Sequence, residues 1–290
     1  MRPIDHLVLP VTTLTLARAR LTSLGFTVVP DAQHPFGSGN CCVFFRDRTY
    51  LEPITILDRE AADVAAANGN VFIRRLKRFA ERRKGEGFAM VALATEDAAR
   101  DVVDLRKLDL SQGELFEFKR KAEMPDGSDA EIGVKLAYAA HVDAPDALFF
   151  TCQRLGSEAL FQPEYVEHPN GALGVSAVAA VAENPADFHI LLTAMTGQRE
   201  LRTTSFGVEA NVDGQEILIL TPPGFRARYG VEPPDPRRGL LFAAFDVSVS
   251  DVDAAAAILG PDAERREDRV MVGSAPGLGA VMALREASDG

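Results

Sequence analysis

The chain has no tryptophan, only three cysteines and five histidines among 290 residues, and fewer basic side chains (31) than acidic ones (42). Cys41, Cys42 and Cys152 form no CxxC pair and no even framework, and adjacent cysteines rarely bridge. A disulfide scaffold is therefore excluded. The thiols read as reduced core residues, and a cytoplasmic location is expected. The net charge of -11 argues against bulk attraction to nucleic acid or to an anionic membrane surface. The one basic run, residues 74–84, is interleaved with Leu76 and Phe79 and preceded by Val71, Phe72 and Ile73, the pattern of a helix with a solvated basic face. No apolar run approaches the roughly 20 residues of a membrane span. The N-terminal MRPIDHLVLPV lacks the order of a signal peptide. GxGxxG, GxxxxGK[ST] and GxSxG are all missing, so neither a nucleotide cofactor nor a serine-hydrolase elbow is implied.

What is present is a chain 47% hydrophobic and 25% charged, a globular composition with ample core. One pattern runs through it. IDHLVLPV reads as a strand, TTLTLARARLTSLG as a helix stopped by Gly25, and FTVVP, GNCCVFFRD and TYLEPITIL as three more strands. The same βαβββ rhythm returns from GFAMVALATED to ALFFTCQRL, with MPDGSD as a hairpin turn. It returns again from GALGVSAVAAV to EILILT, where Asn184-Pro185 opens the helix and Gly197 closes it, and once more from LLFAAFDVSVS to AVMALRE. One such unit has exposed edges and too small a core to stand alone. An α+β fold follows: four βαβββ modules pair into two curved-sheet domains, residues 1–168 and 169–290. QPEYVEHPNGALG is the boundary, and residues 222–236 link the last two modules.

In order, IDHLVL, the HPFGSGN turn, TYLE, GEGFAMVALATED, and LFFTCQRL followed by HPNGA resemble the vicinal-oxygen-chelate superfamily, which includes glyoxalase I, extradiol dioxygenases and resistance proteins. More narrowly, residues 1 to about 175 look like the glyoxalase-like domain family of bacterial proteins. The resemblance implies a cup holding a divalent metal (Mn, Fe, Ni, Zn or Mg), with ligands from the first and last strands of paired modules, and a lyase, isomerase or dioxygenase acting on a small oxygenated molecule. On this sequence it implies His6 and Glu52 as metal ligands, with Glu52 also moving a proton. By the two-residue period His6 is expected beside Ile4 and Val8, and Glu52 beside Tyr50 and Ile54. A buried carboxylate needs a metal, an arginine or a protonated histidine.

The second module departs from the pattern. Ala89 aligns with His6, and Thr151 or Cys152 with Glu52, with Gln153 next in line. His34 completes the site only if its turn folds over the cup. His34, Asn40, Tyr50 and Gln153 are the expected contacts to a small-molecule ligand. Gly37 and Gly39 are expected at positive φ, and His168 and Asn170 as turn chemistry. The later modules offer Ala177 at the His6 position, no acid inside ILILT, and Glu216 and Glu286 at strand ends, which argues against ordinary extradiol chemistry. The alternative is a metal-free protein that sequesters an apolar compound among residues such as Phe36, Phe44, Phe149 and Phe150. A further alternative is an interaction role in which the cup edges form a homodimer.

Overall fold

The structure is a computed structural model that describes residues 1–83, 85–123, 127–156 and 160–287. The start of the expected MPDGSD turn lies outside the described residues. In the first half, β1 (Ile4–Pro10), β2 (Ala32–Gln33), β3 (Ser38–Asn40), β4 (Val43–Phe44), β5 (Tyr50–Ile56), β6 (Met90–Ala94), β7 (Phe116–Glu123), β8 (Asp129–Ala139) and β9 (Leu148–Leu155) share one mixed sheet. Its order is β2-β3-β5-β1-β6-β9-β8-β7, with β4 also paired to β5. The second half repeats that order with β10 (Ala172–Val181), β11 (Arg202–Thr204), β12 (Gly207–Val212), β13 (Gln215–Leu220), β14 (Leu241–Val249), β15 (Ala263–Arg266), β16 (Arg269–Val272) and β17 (Val281–Glu286), arranged β11-β12-β13-β10-β14-β17-β16-β15. Each sheet has an antiparallel central pair, β1 with β6 or β10 with β14. A parallel partner flanks each central strand, and antiparallel strands continue to the edges. The result is an α+β fold whose mixed sheets curl into half-barrels.

Side chains alternate between two environments along every central strand. Leu7, Leu51, Val91 and Phe149 join Val178, Ile217, Phe245 and Leu284 in one continuous core spanning both halves. Residues of α1 (Leu14–Ser23), α4 (Ala98–Lys107), α6 (His189–Thr196) and α8 (Val252–Leu259) complete that core. Each of these helices starts or stops on a local signal. Thr13, Asp97 and Asp251 accept backbone N–H groups of the first turns of α1, α4 and α8, and Gly197 ends α6 at φ +73°. Across the core Phe242 stacks on Phe88, with centroids 4.9 Å apart.

The hollow faces are treated differently in the two halves. In the first, α2 (Arg59–Ala67) and α3 (Val71–Arg83) stand outside the βαβββ rhythm and pack Ala62, Phe72 and Ile73 against Val8, Ile54 and Phe150. Gly37, at φ +88°, receives this addition: its carbonyl accepts from Leu57 N and Asp58 N, and a Cβ there would sit 2.5 Å from the Asp58 carbonyl oxygen. Gly39 is needed for space rather than for positive φ, since a Cβ would meet the Ala32 carbonyl at 2.9 Å. In the second half, residues 222–236 are more than a link. They contain α7 (Pro222–Tyr229), whose Phe225 and Tyr229 fill the hollow of the second sheet.

One expected strand does not form. Residues 26–30 lie outside both sheets, and the single backbone bond from this run toward β4 is Val29 N to Cys42 O at 3.0 Å. The reason is local. The Arg18 guanidinium on α1 donates to the carbonyls of Val28 (2.8 Å) and Val29 (2.6 Å), and Pro30 supplies no N–H, so the run has few groups left for a ladder.

Candidate functional site

The site begins with one extra residue. The register between β1 and β6 slips between Ile4 and His6, which marks a bulge at Asp5. Ile4 therefore faces the shared core rather than lying beside His6, and Asp5 and His6 both serve the hollow side. Asp5 Oδ1 lies 2.5 Å from His6 Nδ1, and Asp5 Oδ2 pairs with Arg154 Nε at 2.8 Å. Burial alone would raise the Asp5 pKa. The His6 contact and the Arg154 charge outweigh it and hold the carboxyl below its usual range. The Asp5 contact orients His6 so that Nε2 faces Glu52 Oε2 at 3.8 Å.

Glu52 sits where its strand loses a neighbour. β3 pairs with β5 at residues 54–56 and β4 at residues 50–51, so Pro53, which has no N–H to donate, falls in the gap between them. The antiparallel β3–β5 pairing brings the HPFGSGN turn over the hollow. Asn40 Nδ2 donates to Glu52 Oε1 at 2.7 Å, and His34 Nε2 lies 4.0 Å from the same oxygen. His34 Nδ1 is held by Ser38 Oγ at 2.9 Å. Burial raises the Glu52 pKa, opposed by the His6 charge and the Asn40 bond. Tyr50 stacks on His6 at 4.3 Å, and the Arg154 guanidinium lies 5.5 Å from the centre of the Tyr50 ring.

Four of the expected residues, His6, His34, Asn40 and Glu52, thus converge, and Tyr50 joins them. Gln153 does not. Its Oε1 accepts from Ala98 N at 3.3 Å on the opposite face, and Arg154 takes the inward position. Alternation along β9 explains this: Cys152 and Arg154 face inward, Thr151 and Gln153 outward. Superposing the caps Thr13 and Asp97 sets Met90 opposite His6, and the ladders His6–Tyr50 and Met90–Leu148 then set Phe150 opposite Glu52. The second module's equivalents of His6 and Glu52 are thus apolar, one position away from Ala89 and from Thr151.

Sequence reasoning missed Asp5, Arg154 and the row Phe116, Phe118, Arg120 on β7. The chamber that Arg154 and this row help enclose measures about 90 Å³ and is lined by many aromatic side chains, including Phe36, Phe72 and Phe150. Phe149, expected in the cavity, lies in the shared core instead. The donor atoms of Asp5, His6 and Cys152 lie within 4.8 Å of one another, a spacing compatible with one metal ion. Burial pushes the Cys42 and Cys152 thiols well up, so both are protonated at neutral pH.

His168 is a buckle rather than a simple turn residue. Its Nδ1 accepts from Thr27 N at 3.1 Å and its Nε2 donates to the Phe44 carbonyl at 3.0 Å. Burial lowers His168 to about 4. Burial, aided by the Arg120 charge, lowers His34 to about 3. Both stay neutral in the folded protein below the ordinary value of 6.5, whereas the unfolded chain takes up the protons. Their contribution to stability is therefore complete above pH 6.5 and is lost as pH falls toward 4 and 3. Between about pH 6 and 4.5 the two sites together give a slope of up to ~2.7 kcal/mol per pH unit. Urea unfolding of His34→Gln should show about half that slope; an unchanged slope would rule out a neutral buried His34.

In the second half α7 occupies the corresponding hollow. Asp246, fully buried, receives Tyr229 Oη at 2.9 Å, Arg228 Nη2 at 2.9 Å and Arg269 Nη1 at 3.3 Å beneath α7.

No curated protein matches the sequence. A hypothetical protein from Staphylococcus aureus is similar in structure, with a TM-score of 0.68 at 9% identity over 99% of this chain and 100% of that one. A triple mutant of 4-hydroxymandelate synthase from Streptomyces coelicolor gives 0.56 at 13% identity over 100% and 94%. At such identities these likenesses concern the fold. The family model described as "Glyoxalase-like domain" matches residues 4–196, a stretch that includes β10 and α6. With more than half of its length matched, and with the half-barrel and its chamber in place, the chain belongs to the glyoxalase-like domain family of the vicinal-oxygen-chelate superfamily.

Proposed function

We propose that the chain is a metal-dependent enzyme acting on a small oxygen-bearing molecule with an apolar or aromatic body, with Glu52 as the group that moves a proton. We read its architecture as four βαβββ modules in two domains, 1–168 carrying the chemistry and 169–290 supporting it. The observation that carries the functional reading is the placement of one buried carboxylate between two imidazole nitrogens, His6 Nε2 at 3.8 Å and His34 Nε2 at 4.0 Å. These separations are too long for hydrogen bonds. Each is within the span of two donors on one ion whose bonds are about 2.1 Å. The imidazoles face different oxygens of Glu52, and the donors that lie within 4.8 Å of one another are those of Asp5, His6 and Cys152, so His34 would have to draw in toward an ion held by His6 and Glu52.

The donor chemistry fits. Two imidazoles and one carboxylate favour Fe(II), Mn, Ni or Zn over Mg. His6 already has its other nitrogen on the Asp5 carboxylate, the arrangement that fixes a ligating histidine. His34 is neutral, as a ligand must be. Asp5 is better suited to orienting than to ligating, because Arg154 and His6 already occupy its two oxygens. Cys152 would first have to lose a proton that burial holds firmly. A bound divalent ion would polarise a substrate oxygen and acidify the neighbouring position. Glu52, whose raised pKa lies nearer neutrality than an ordinary carboxylate, accepts or returns the proton from Oε2. Asn40 holds Oε1 and so fixes which oxygen is free.

Metal content of the purified protein, measured by mass spectrometry, tests this. One transition-metal ion per chain is expected, absent in His6→Ala and His34→Ala and retained in Cys152→Ser. Retention in the histidine variants would refute it. The aromatic walls favour a second reading, sequestration without metal. A ligand-induced rise in melting temperature in protein that binds no ion would select that one.

A further inference from the structure

The chamber has an antechamber. A wider cleft of about 430 Å³ adjoins it: Asn40, Cys42, Phe44, Arg120 and Leu160 line both, so these side chains form the waist between the two. The chamber is lined by many aromatic side chains, while the cleft adds Asp31, Gln33 and Tyr165.

Arg120 stands at this waist, and its position follows from strand geometry. Along β7 the side chains of Phe116, Phe118 and Arg120 share one face by the two-residue period. The two phenylalanines tile the chamber wall, and the arginine is the next residue outward in the same row. Its surroundings leave it poorly satisfied. Among the described residues its side-chain hydrogen bond is a long one, Nη1 to the Lys121 carbonyl at 3.4 Å, and no carboxylate lies within ion-pair distance of it. Asp31, the acid that lines the cleft, is already paired with Arg18 at 2.5 Å. Glu52 feels the Arg120 charge but is bonded to Asn40 on the chamber floor. The other arginine of the site, Arg154, has a partner in Asp5 and lies over the Phe161 ring at 4.9 Å. A half-buried guanidinium with most of its five donors unused, facing a cavity, is an oxyanion receptor, and its planar fork matches a carboxylate.

We propose that the ligand is an elongated organic acid: an aromatic or apolar head enters the chamber, and a carboxylate at the waist is bound by Arg120, with any further polar portion lying in the outer cleft. This rests on the functional reading above, because it names the substrate class for the same chamber. The recognition is separate from the metal donors. The acid sets the depth to which the head reaches, and so which of its atoms comes to Glu52 and His6.

Titration calorimetry of 3-phenylpropionate against its primary amide, which has the same shape without the charge, tests the inference. The native protein should bind the acid at least about tenfold more tightly. In Arg120→Gln that preference should vanish, by on the order of a 10- to 100-fold loss for the acid, while affinity for the amide changes less than twofold. Arg120→Lys, which keeps the charge but not the fork, should recover part of the preference. Equal binding of acid and amide to the native protein, a preference that survives in Arg120→Gln, or binding of neither probe would each overturn the proposal. Metal content is measured on the same samples. An ion lost with His6 but no acid preference sinks this inference alone, whereas an acid preference in a protein that takes up no ion sinks the metal reading alone.

Discussion

Glutamine in place of Glu52 will make the metal-free protein harder to unfold and will remove its metal site at the same time. The two effects share one cause. Burial lifts the Glu52 pKa, so the charged form is costlier in the folded chain than in the unfolded one, and a neutral isostere relieves that cost at neutral pH. The amide oxygen of the Glu52→Gln variant can still accept the Asn40 hydrogen bond, so packing is retained. An amide is a poor ligand, and affinity for the ion should fall by at least about 100-fold. Thermal melts with and without added Mn or Zn read both effects. The melting temperature without metal should rise above that of the native protein, and the further increase on adding metal should disappear. A lower melting temperature without metal would mean that the carboxylate is a structural anchor, and the catalytic reading of Glu52 would fall with it. Such opposition between stability and activity is common where a site holds an unfavourable charge.

Asp246→Ala should be the most destabilising single change in the second half. The carboxylate is fully buried and gathers Arg228, Arg269 and Tyr229 around it. Among the described residues Arg228 keeps Glu216 at 2.6 Å, but Arg269 then has only the exposed Asp268, and the Tyr229 hydroxyl has no acceptor. Leaving buried charge unpartnered typically costs about 3–5 kcal/mol. For a chain of this size that lowers the melting temperature by roughly 10 °C. Asp246→Asn, whose single amide oxygen can still accept from Arg228 and Arg269 while its NH2 group turns to the Tyr229 oxygen, should lose about half as much. Neither change should alter metal content, because the cluster lies under α7 in the other sheet. A loss below about 1 kcal/mol would show that the arginines find water instead, and the cluster would then be a surface network.

Much of the element order was legible in the sequence because it is written in local terms. Period-two runs such as YLEPITI, helix caps such as Thr13 and Asp97, and stops such as Gly197 each act within a few residues. Part of the site was legible for the same reason. Asn40 and Glu52 lie on paired strands and His34 in the turn that leads into β3, so pairing β3 with β5 suffices to bring them together. What stayed hidden depends on a single residue of register or on distant packing. The bulge at Asp5 leaves the apolar rhythm of β1 intact while turning Ile4 to the core and recruiting Asp5 beside His6. A slip of one residue on β9 exchanges Gln153 for Arg154, because neighbouring strand positions face opposite ways. Arg120 acts on His34 and Glu52 from an edge strand more than sixty positions away, and nothing in FEFKR reveals which strand it lies across from. The amphipathic pattern of α3 forecast a buried stripe and a basic face, but not that the stripe would close the first hollow.

The filling of the second half-barrel by Phe225 and Tyr229 makes the molecule uneven in compressibility. One hollow is filled by a helix, and the other holds the chamber. Empty space is what yields when a folded chain is squeezed or when a guest arrives, so the breathing of this protein is confined to the lobe that carries Glu52. The filled lobe, joined to it through a shared interior, acts as an anvil against which that movement takes place.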